Sequence, residues 1–477
     1  MDATLRAEAE LLLQQLPFSV EMPAGTGKTQ LVAAMAGVAA ERGDVSLILT
    51  HTNSGVAALR KRLKTFGIPQ KMVHVDTIAS WAFELVRHYP DLAGIQIAAI
   101  PDWNDTPEYV AGAVDVARSR AINRMHSASF EYLFVDEYQD CNLSQHALML
   151  EIASAIPKAA VFGDRLQGIF DFRNQTLVDW DEHVFPNYPL LDREHTAWRW
   201  TGHNPELGQW LLGLRSQLLP GATIDLSRVS IPGLLWQGAS HEAISTAAFA
   251  VLTLDESVVI LNQWRNDNAT TAGRLGGMYT VMEDLNGRFM HESLAQLESS
   301  EPNEYAIWLA KFAKECFSGY GEINQPVLRR LQRGETFDGL NRPGLEATLA
   351  VLQTLIANPS LENLVVAMKA IESAREARLY CTEAWRDTLA AIEAVVLSPG
   401  ETMCDTLAMI RDRLRYTGRR RHPRVVSRTL LVKGLEYDHA IICDADNIGS
   451  VRNFYVAITR PRKTLTIMSR SPVIRLR

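Results

Sequence analysis

The sequence predicts an α/β protein of two parallel-sheet domains, with a short insertion in the first and a mainly helical insertion in the second. Three observations carry this expectation. A strand-like FSVE runs into PAGTGKT and then into QLVAAMAGVAAERG; apolar runs alternate with helical stretches early in the chain; and a second set of apolar runs flanks a block of helical periodicity. At 477 residues the chain exceeds one compact core, and two to four domains are expected.

In order, the apolar run Phe18–Glu21 reads as a strand, and the helix that follows ends near Gly43. DVSLILT is a second strand, followed by the helical AALRKRLKTFG. Strands that alternate with helices imply a parallel sheet closed by crossovers. The mixed, polar stretch from about 84 to 128 reads as an insertion. FEYLFVDEYQD and KAAVFGD restore strands, so a first domain is expected over 1–180. SVVILNQW begins a second sheet, assigned to 181–299, which VVSRTLLVKGLEYDHAIICDA and KTLTIMS complete over 416–477. Between them, LEATLAVLQTLIA, LENLVVAMKAIESA and WRDTLAAIEAVVL carry apolar positions at helical spacing, which makes 300–415 a mainly helical insertion.

Composition narrows the classes of function. The hydrophobic fraction is 47%, the charged fraction 22% and the net charge −7, so attraction to nucleic acid must come from local patches. The five cysteines, Cys141, Cys316, Cys381, Cys404 and Cys443, form no CxxC pair, which argues against a structural zinc or a disulfide framework. With no basic-then-apolar leader pattern and no membrane-length apolar run, the expectation is a soluble cytoplasmic protein with no membrane partner.

The chemistry begins at GTGKT. Gly25 and Gly27 let backbone N–H groups turn onto phosphate oxygens, with Thr26 between them, and the helix N-terminus adds a favourable dipole. Lys28 would neutralise the outer phosphates and the Thr29 hydroxyl would ligate Mg²⁺. A loop of this kind needs a second metal-holding acid at a strand end. Asp136, after the apolar Leu133–Val135, supplies it, and Glu137 is the natural group to orient and deprotonate an attacking water.

DEYQDC resembles the DExQD box of UvrD/Rep-type superfamily 1 helicases, and further segments follow in that family's order. LILTHTNSGVAALRKRL is similar to its motif Ia, with Thr52 and Asn53 matching, and VDTIASWAFELV to the next motif, with Thr77 in the threonine position. VFGDRLQGIFDFR resembles motif III, AWRWTGHNPEL a diverged motif IV, LLVKGLEYDHAII motif V and RNFYVAITRPRKTLTI motif VI.

This resemblance implies two RecA-like P-loop domains with ATP and Mg²⁺ between them. It places Asp164 and Gln167 near the γ-phosphate, Arg199 on the phosphates and Arg460 as an arginine finger. Trp198 would stack on the adenine, Gln30 would lie beside the base and Glu436 would contact the ribose. A single strand would run over Phe170, Phe172 and Arg173, since bases stack on such rings without sequence preference, with Thr52, Asn53, Thr77 and Lys433 on its backbone. The Arg-rich stretch Arg419–Arg424 would bind phosphate backbone or act as a solvated linker. Departures from the pattern are Gln14 and Gln15, which lie too close to Lys28 to read adenine, and Leu430 and Leu431, which replace the His–Ser pair of motif V.

The activity implied is ATP-dependent translocation along single-stranded DNA, or unwinding of a tailed duplex, with 3′→5′ polarity. Short insertions leave a second reading open. It is a nucleotide-switched, DNA-sensing subunit of a phage-defence or repair nuclease complex, similar to the helicase-like component of Gabija-type systems and paired with a partner nuclease/ATPase subunit. A P-loop kinase would leave motifs III and VI without a purpose.

Overall fold

The computed structural model describes residues 1–97, 101–170, 176–251, 255–284, 287–340, 342–374, 376–398, 400–417 and 422–476. They pack as two compact α/β units. The first comprises Met1–Ala222, Ser450–Thr459 and Leu476–Arg477; the second comprises Thr223–Gly449 and Arg460–Arg475.

In the first unit, β1 (Phe18–Glu21), β2 (Ser46–Thr50), β3 (Val73–Thr77), β4 (Tyr132–Val135) and β5 (Lys158–Gly163) form a five-stranded sheet in the order β1-β5-β4-β2-β3. Every pairing is parallel. The apolar runs at β2 and β4 are buried along their whole length, as strands covered on both faces must be. Their side chains alternate between two cores. Leu47, Leu49, Leu133 and Val135 enter one with Phe83, Val110 and Ile152, while Ile48 and Phe134 enter the other with Leu12, Leu31 and Met35.

One edge of this sheet is paired and the other carries a charged side chain. The chain at Pro189–Leu191 runs beside β1, where the Ser19 N–H donates to Pro189 O at 2.9 Å and the Leu191 N–H to Ser19 O at 2.8 Å. At the other edge, Arg60 Nη2 donates to Val75 O in β3 at 2.8 Å. The first unit therefore runs past the expected boundary at 180 to Ala222, because the chain after 180 covers β1 and the loop that follows it. The helix Val451–Ile458 also packs in the first unit, although strands of the second flank it in sequence.

In the second unit, β6 (Thr223–Asp225) pairs antiparallel with β15 (Val473–Arg475), and β10 (Phe317–Ser318) with β11 (Arg378–Leu379). Its main sheet is six-stranded and parallel. It comprises β7 (Leu234–Gly238), β8 (Val258–Asn262), β9 (Thr280–Val281), β12 (Arg424–Arg428), β13 (Tyr437–Ile442) and β14 (Pro461–Ser469), in the order β7-β14-β13-β8-β12-β9. Between β9 and β12 the chain is mainly helical, with helices such as Tyr305–Cys316, Glu346–Ala357, Leu361–Ser373 and Thr382–Leu397. Their shared core is aromatic: Phe312 stacks on Trp308 at 5.1 Å and on Trp385 at 5.6 Å between ring centroids. Among the described residues, no helix is long and apolar enough to cross a membrane.

Candidate nucleotide-binding site

The order β1-β5-β4 brings three strand ends side by side, and each carries one of the motifs. The loop after β1 turns through Gly25 (φ 74°) and Gly27 (φ 91°), both left-handed, and enters the helix Lys28–Glu41 with no side chain capping its first N–H groups. Those N–H groups are donors for an anion at the helix N-terminus. Thr26 Oγ1 donates to Pro23 O at 2.7 Å and tightens the turn.

Gly25 has a second constraint. A Cβ there would lie 2.6 Å from Trp200 Cζ3 and 2.8 Å from Arg199 Cβ. Gly25→Ala is therefore expected to cost about 2–4 kcal/mol in urea denaturation, from overpacking and the left-handed backbone together.

Lys28 Nζ is buried, 2.8 Å from Glu137 Oε2 and 3.6 Å from Asp136 Oδ1. Burial alone would lower its pKa, but the two carboxylates outweigh burial and raise it above the ordinary 10.5, so the ammonium stays charged. An ammonium carries three donors, and two carboxylate contacts leave room for an anion beside them.

Thr29 Oγ1 donates to Asp136 Oδ2 at 3.3 Å. Burial raises the Asp136 pKa and Lys28 opposes that rise. A hydroxyl and a carboxylate are a usual protein contribution to Mg²⁺, with phosphates and water completing the shell. Among the described residues, no group of three or more His, Cys, Asp or Glu is placed to hold a metal. The buried, charged Lys28 and the Thr29–Asp136 pair thus fit Mg²⁺–nucleotide.

Glu137 is held in a left-handed backbone conformation (φ 58°), which costs energy for a non-glycine residue. Its N–H donates to Asp136 Oδ1 at 2.9 Å, and its Oε2 accepts from Gln139 Nε2. Gln139 Oε1 in turn accepts from the Asp164 N–H at 3.0 Å, which joins the end of β4 to the end of β5. Gln167 Nε2 donates to Asp164 Oδ2 at 2.9 Å, and the same oxygen accepts from the Ala24 N–H in the loop at 3.1 Å.

The segment after β5 returns to this loop. The Arg199 N–H donates to Gly25 O at 3.0 Å, and Arg199 Nη1 donates to Thr459 O at 2.5 Å. Trp198 is 62% exposed, and a Cβ on Gly27 would meet its Cδ1 at 3.4 Å. Gln30 is half-buried in the first turn of the helix.

Other expected residues lie elsewhere. Thr52 and Thr77 cap the helices that follow β2 and β3. The Thr52 hydroxyl accepts from the Gly55 N–H and the Thr77 hydroxyl from the Ser80 N–H, and Asn53 is the first residue of the first of these helices. Local capping alone accounts for both threonines. Phe170 is half-buried; Phe172 and Arg173 lie outside the described residues, as do Arg419, Arg420 and Arg421. In the second unit, Arg460 is buried and its Nη1 donates to Leu435 O at 3.1 Å, while Lys433 is half-buried and Glu436 exposed.

Two residues at the loop were not expected. Arg215 and Tyr455 both reach Asp164 or the Ala24 N–H, across 51 and 431 positions of sequence respectively. Tyr455 lies within the RNFYVAITR segment, whose pattern could have pointed to it; nothing local marks Arg215.

Residues 102–178 match the model of the UvrD/REP helicase N-terminal domain. The chain is thus similar to UvrD/REP-type helicases over the segment that holds Asp136, Glu137, Asp164 and Gln167. A crystal structure of Pif1 helicase from Candida albicans aligns over 100% of this chain and 97% of its own, at 10% identity and a TM-score of 0.39. No curated protein matches the sequence.

Proposed function

We propose that this chain, similar over residues 102–178 to the UvrD/REP helicase N-terminal domain, is an ATP-dependent motor that moves 3′→5′ along single-stranded DNA. One observation carries the reading: Lys28, Asp136, Glu137 and the Asp164–Gln167 pair converge at neighbouring strand ends around a loop of left-handed glycines. In this reading Lys28 and the helix N-terminus bind the phosphates. Thr29 and Asp136 hold Mg²⁺, which neutralises charge on the phosphates when bound. Glu137, its carboxylate held by Gln139, takes the proton of the attacking water.

Asp164 holds the Gln167 amide, which senses the terminal phosphate, and Trp198 stacks on the base. Arg199 supplies charge that stabilises the transferring phosphoryl group, worth about 10³–10⁵ in rate for such arginines.

The test is ATP hydrolysis by the full chain with and without single-stranded DNA, followed by strand displacement on 3′-tailed and 5′-tailed duplexes. Stimulation by the strand, with displacement from the 3′-tailed duplex only, is the expected result. Hydrolysis without displacement would instead favour a nucleotide-switched subunit, and no hydrolysis in either condition would sink the motor reading.

A further inference from the structure

Arg215, which follows the helix Pro205–Leu214, sits at the centre of the first unit's polar network. Its Nη1 donates to Asp164 Oδ1 at 2.8 Å and to the Tyr455 hydroxyl at 2.7 Å, its Nη2 donates to Glu21 Oε1 at 3.0 Å, and its guanidinium lies 5.2 Å from the centre of the Tyr455 ring. The Ala24 N–H, in the loop itself, is shared: it donates to Asp164 Oδ2 at 3.1 Å and to the Tyr455 hydroxyl at 3.1 Å. Glu21, the last residue of β1, also accepts from Arg165 Nε at 3.0 Å. One guanidinium therefore fixes the strand that enters the loop, the acid that holds Gln167, and a hydroxyl on the helix Val451–Ile458.

This arrangement differs from ordinary scaffolding in what the Ala24 N–H is asked to do. A phosphate loop works by aiming backbone N–H groups, and here one of them is tied by two acceptors that Arg215 holds in place. Movement of the Ala24 N–H on binding phosphate either carries Asp164 and Tyr455 with it or breaks these two bonds. Tyr455 lies on the helix whose chain continues, after Thr459, to Arg460.

We propose that Arg215 is a positioning residue of the phosphate loop. It holds the Asp164 carboxylate and the Tyr455 hydroxyl on the Ala24 N–H, so that nucleotide binding at the loop also orders the helix that leads to Arg460. This inference rests on the nucleotide reading given above. Arg215 touches no reacting atom; it acts through Asp164 and Tyr455.

The test uses the full chain and the fluorescent nucleotide mant-ADP with Mg²⁺, so it does not depend on turnover. Arg215→Lys keeps the charge and loses the fork, and Tyr455→Phe removes only a hydroxyl, which keeps both variants foldable. Each is expected to weaken mant-ADP binding about tenfold, and the double variant also about tenfold rather than the hundredfold of independent contributions, because both act on one N–H. Nucleotide is expected to slow amide exchange in 451–458 of the wild type, and that gain is expected to vanish in Tyr455→Phe.

Variants that lose stability to urea yet bind mant-ADP like the wild type would show a merely structural role and overturn the proposal. Additive losses, or undiminished protection of 451–458 in Tyr455→Phe, would overturn it as well. A wild-type chain that bound no mant-ADP would remove the nucleotide reading, and this proposal with it, a result distinct from the others.

Discussion

Lys28→Ala is expected to lower strand-stimulated ATP hydrolysis by at least about a thousandfold, the largest effect of any single change at the loop. The loss has two sources. The nucleotide loses the only lysine ammonium the loop offers its phosphates, and the protein loses the cation that lies between Asp136 and Glu137. Removing one partner of a buried ion pair leaves uncompensated charge, which costs about 3–5 kcal/mol.

The two sources separate by pH. In the wild type, Lys28 has a raised pKa, so its contribution to stability is complete below the ordinary lysine value of 10.5 and lost as pH rises through the folded-state value. In the variant, burial and the neighbouring Glu137 keep the Asp136 pKa raised with no ammonium to oppose them. A buried acid with a raised pKa is least costly when protonated, so the stability deficit should shrink as pH falls. Urea denaturation at pH 8 and at pH 5.5 measures it, while hydrolysis should stay absent at both. A deficit that grew on acidification would mean that Asp136 and Glu137 are not the groups left unpaired.

Glu137→Gln is expected to separate binding from turnover. The amide keeps the side chain's size, so mant-ADP affinity should change by less than about threefold, while the rate of hydrolysis falls about 10²–10⁴-fold with the loss of the general base. The variant also turns an ion pair with Lys28 into a dipole contact, so a small gain in affinity for the anionic nucleotide is the expected sign. Single-turnover hydrolysis beside equilibrium titration measures both. If the rate were unchanged, another group would have to activate the water, and Asp164, buried and bound by Gln167 and Arg215, would be poorly free to do so.

Legibility from sequence followed contact distance along the chain. GTGKT and VDEYQD could be read because each is a local device: a turn that needs glycine beside a helix start, and an acid at the end of an apolar strand. The alternation of strands and helices gave the parallel sheets for the same reason. Arg215 could not be read, since its partners Glu21, Asp164 and Tyr455 are 194, 51 and 240 residues away.

The extension of the first compact unit beyond 180, to Ala222, rests on a related point. Pro189 pairs with β1 through backbone alone, and such pairing leaves no mark in side-chain pattern. Thr52 and Thr77 show the opposite case. Their hydroxyls suit a strand contact, but helix capping explains them without one.

The guanidinium of Arg60 on the outer carbonyl of Val75 has a consequence for handling the protein. An open strand border is a template on which another molecule can add its own backbone and begin fibrous growth. Arg60 sets a charged, hydrated group on one acceptor of that border, a feature that disfavours strand addition there.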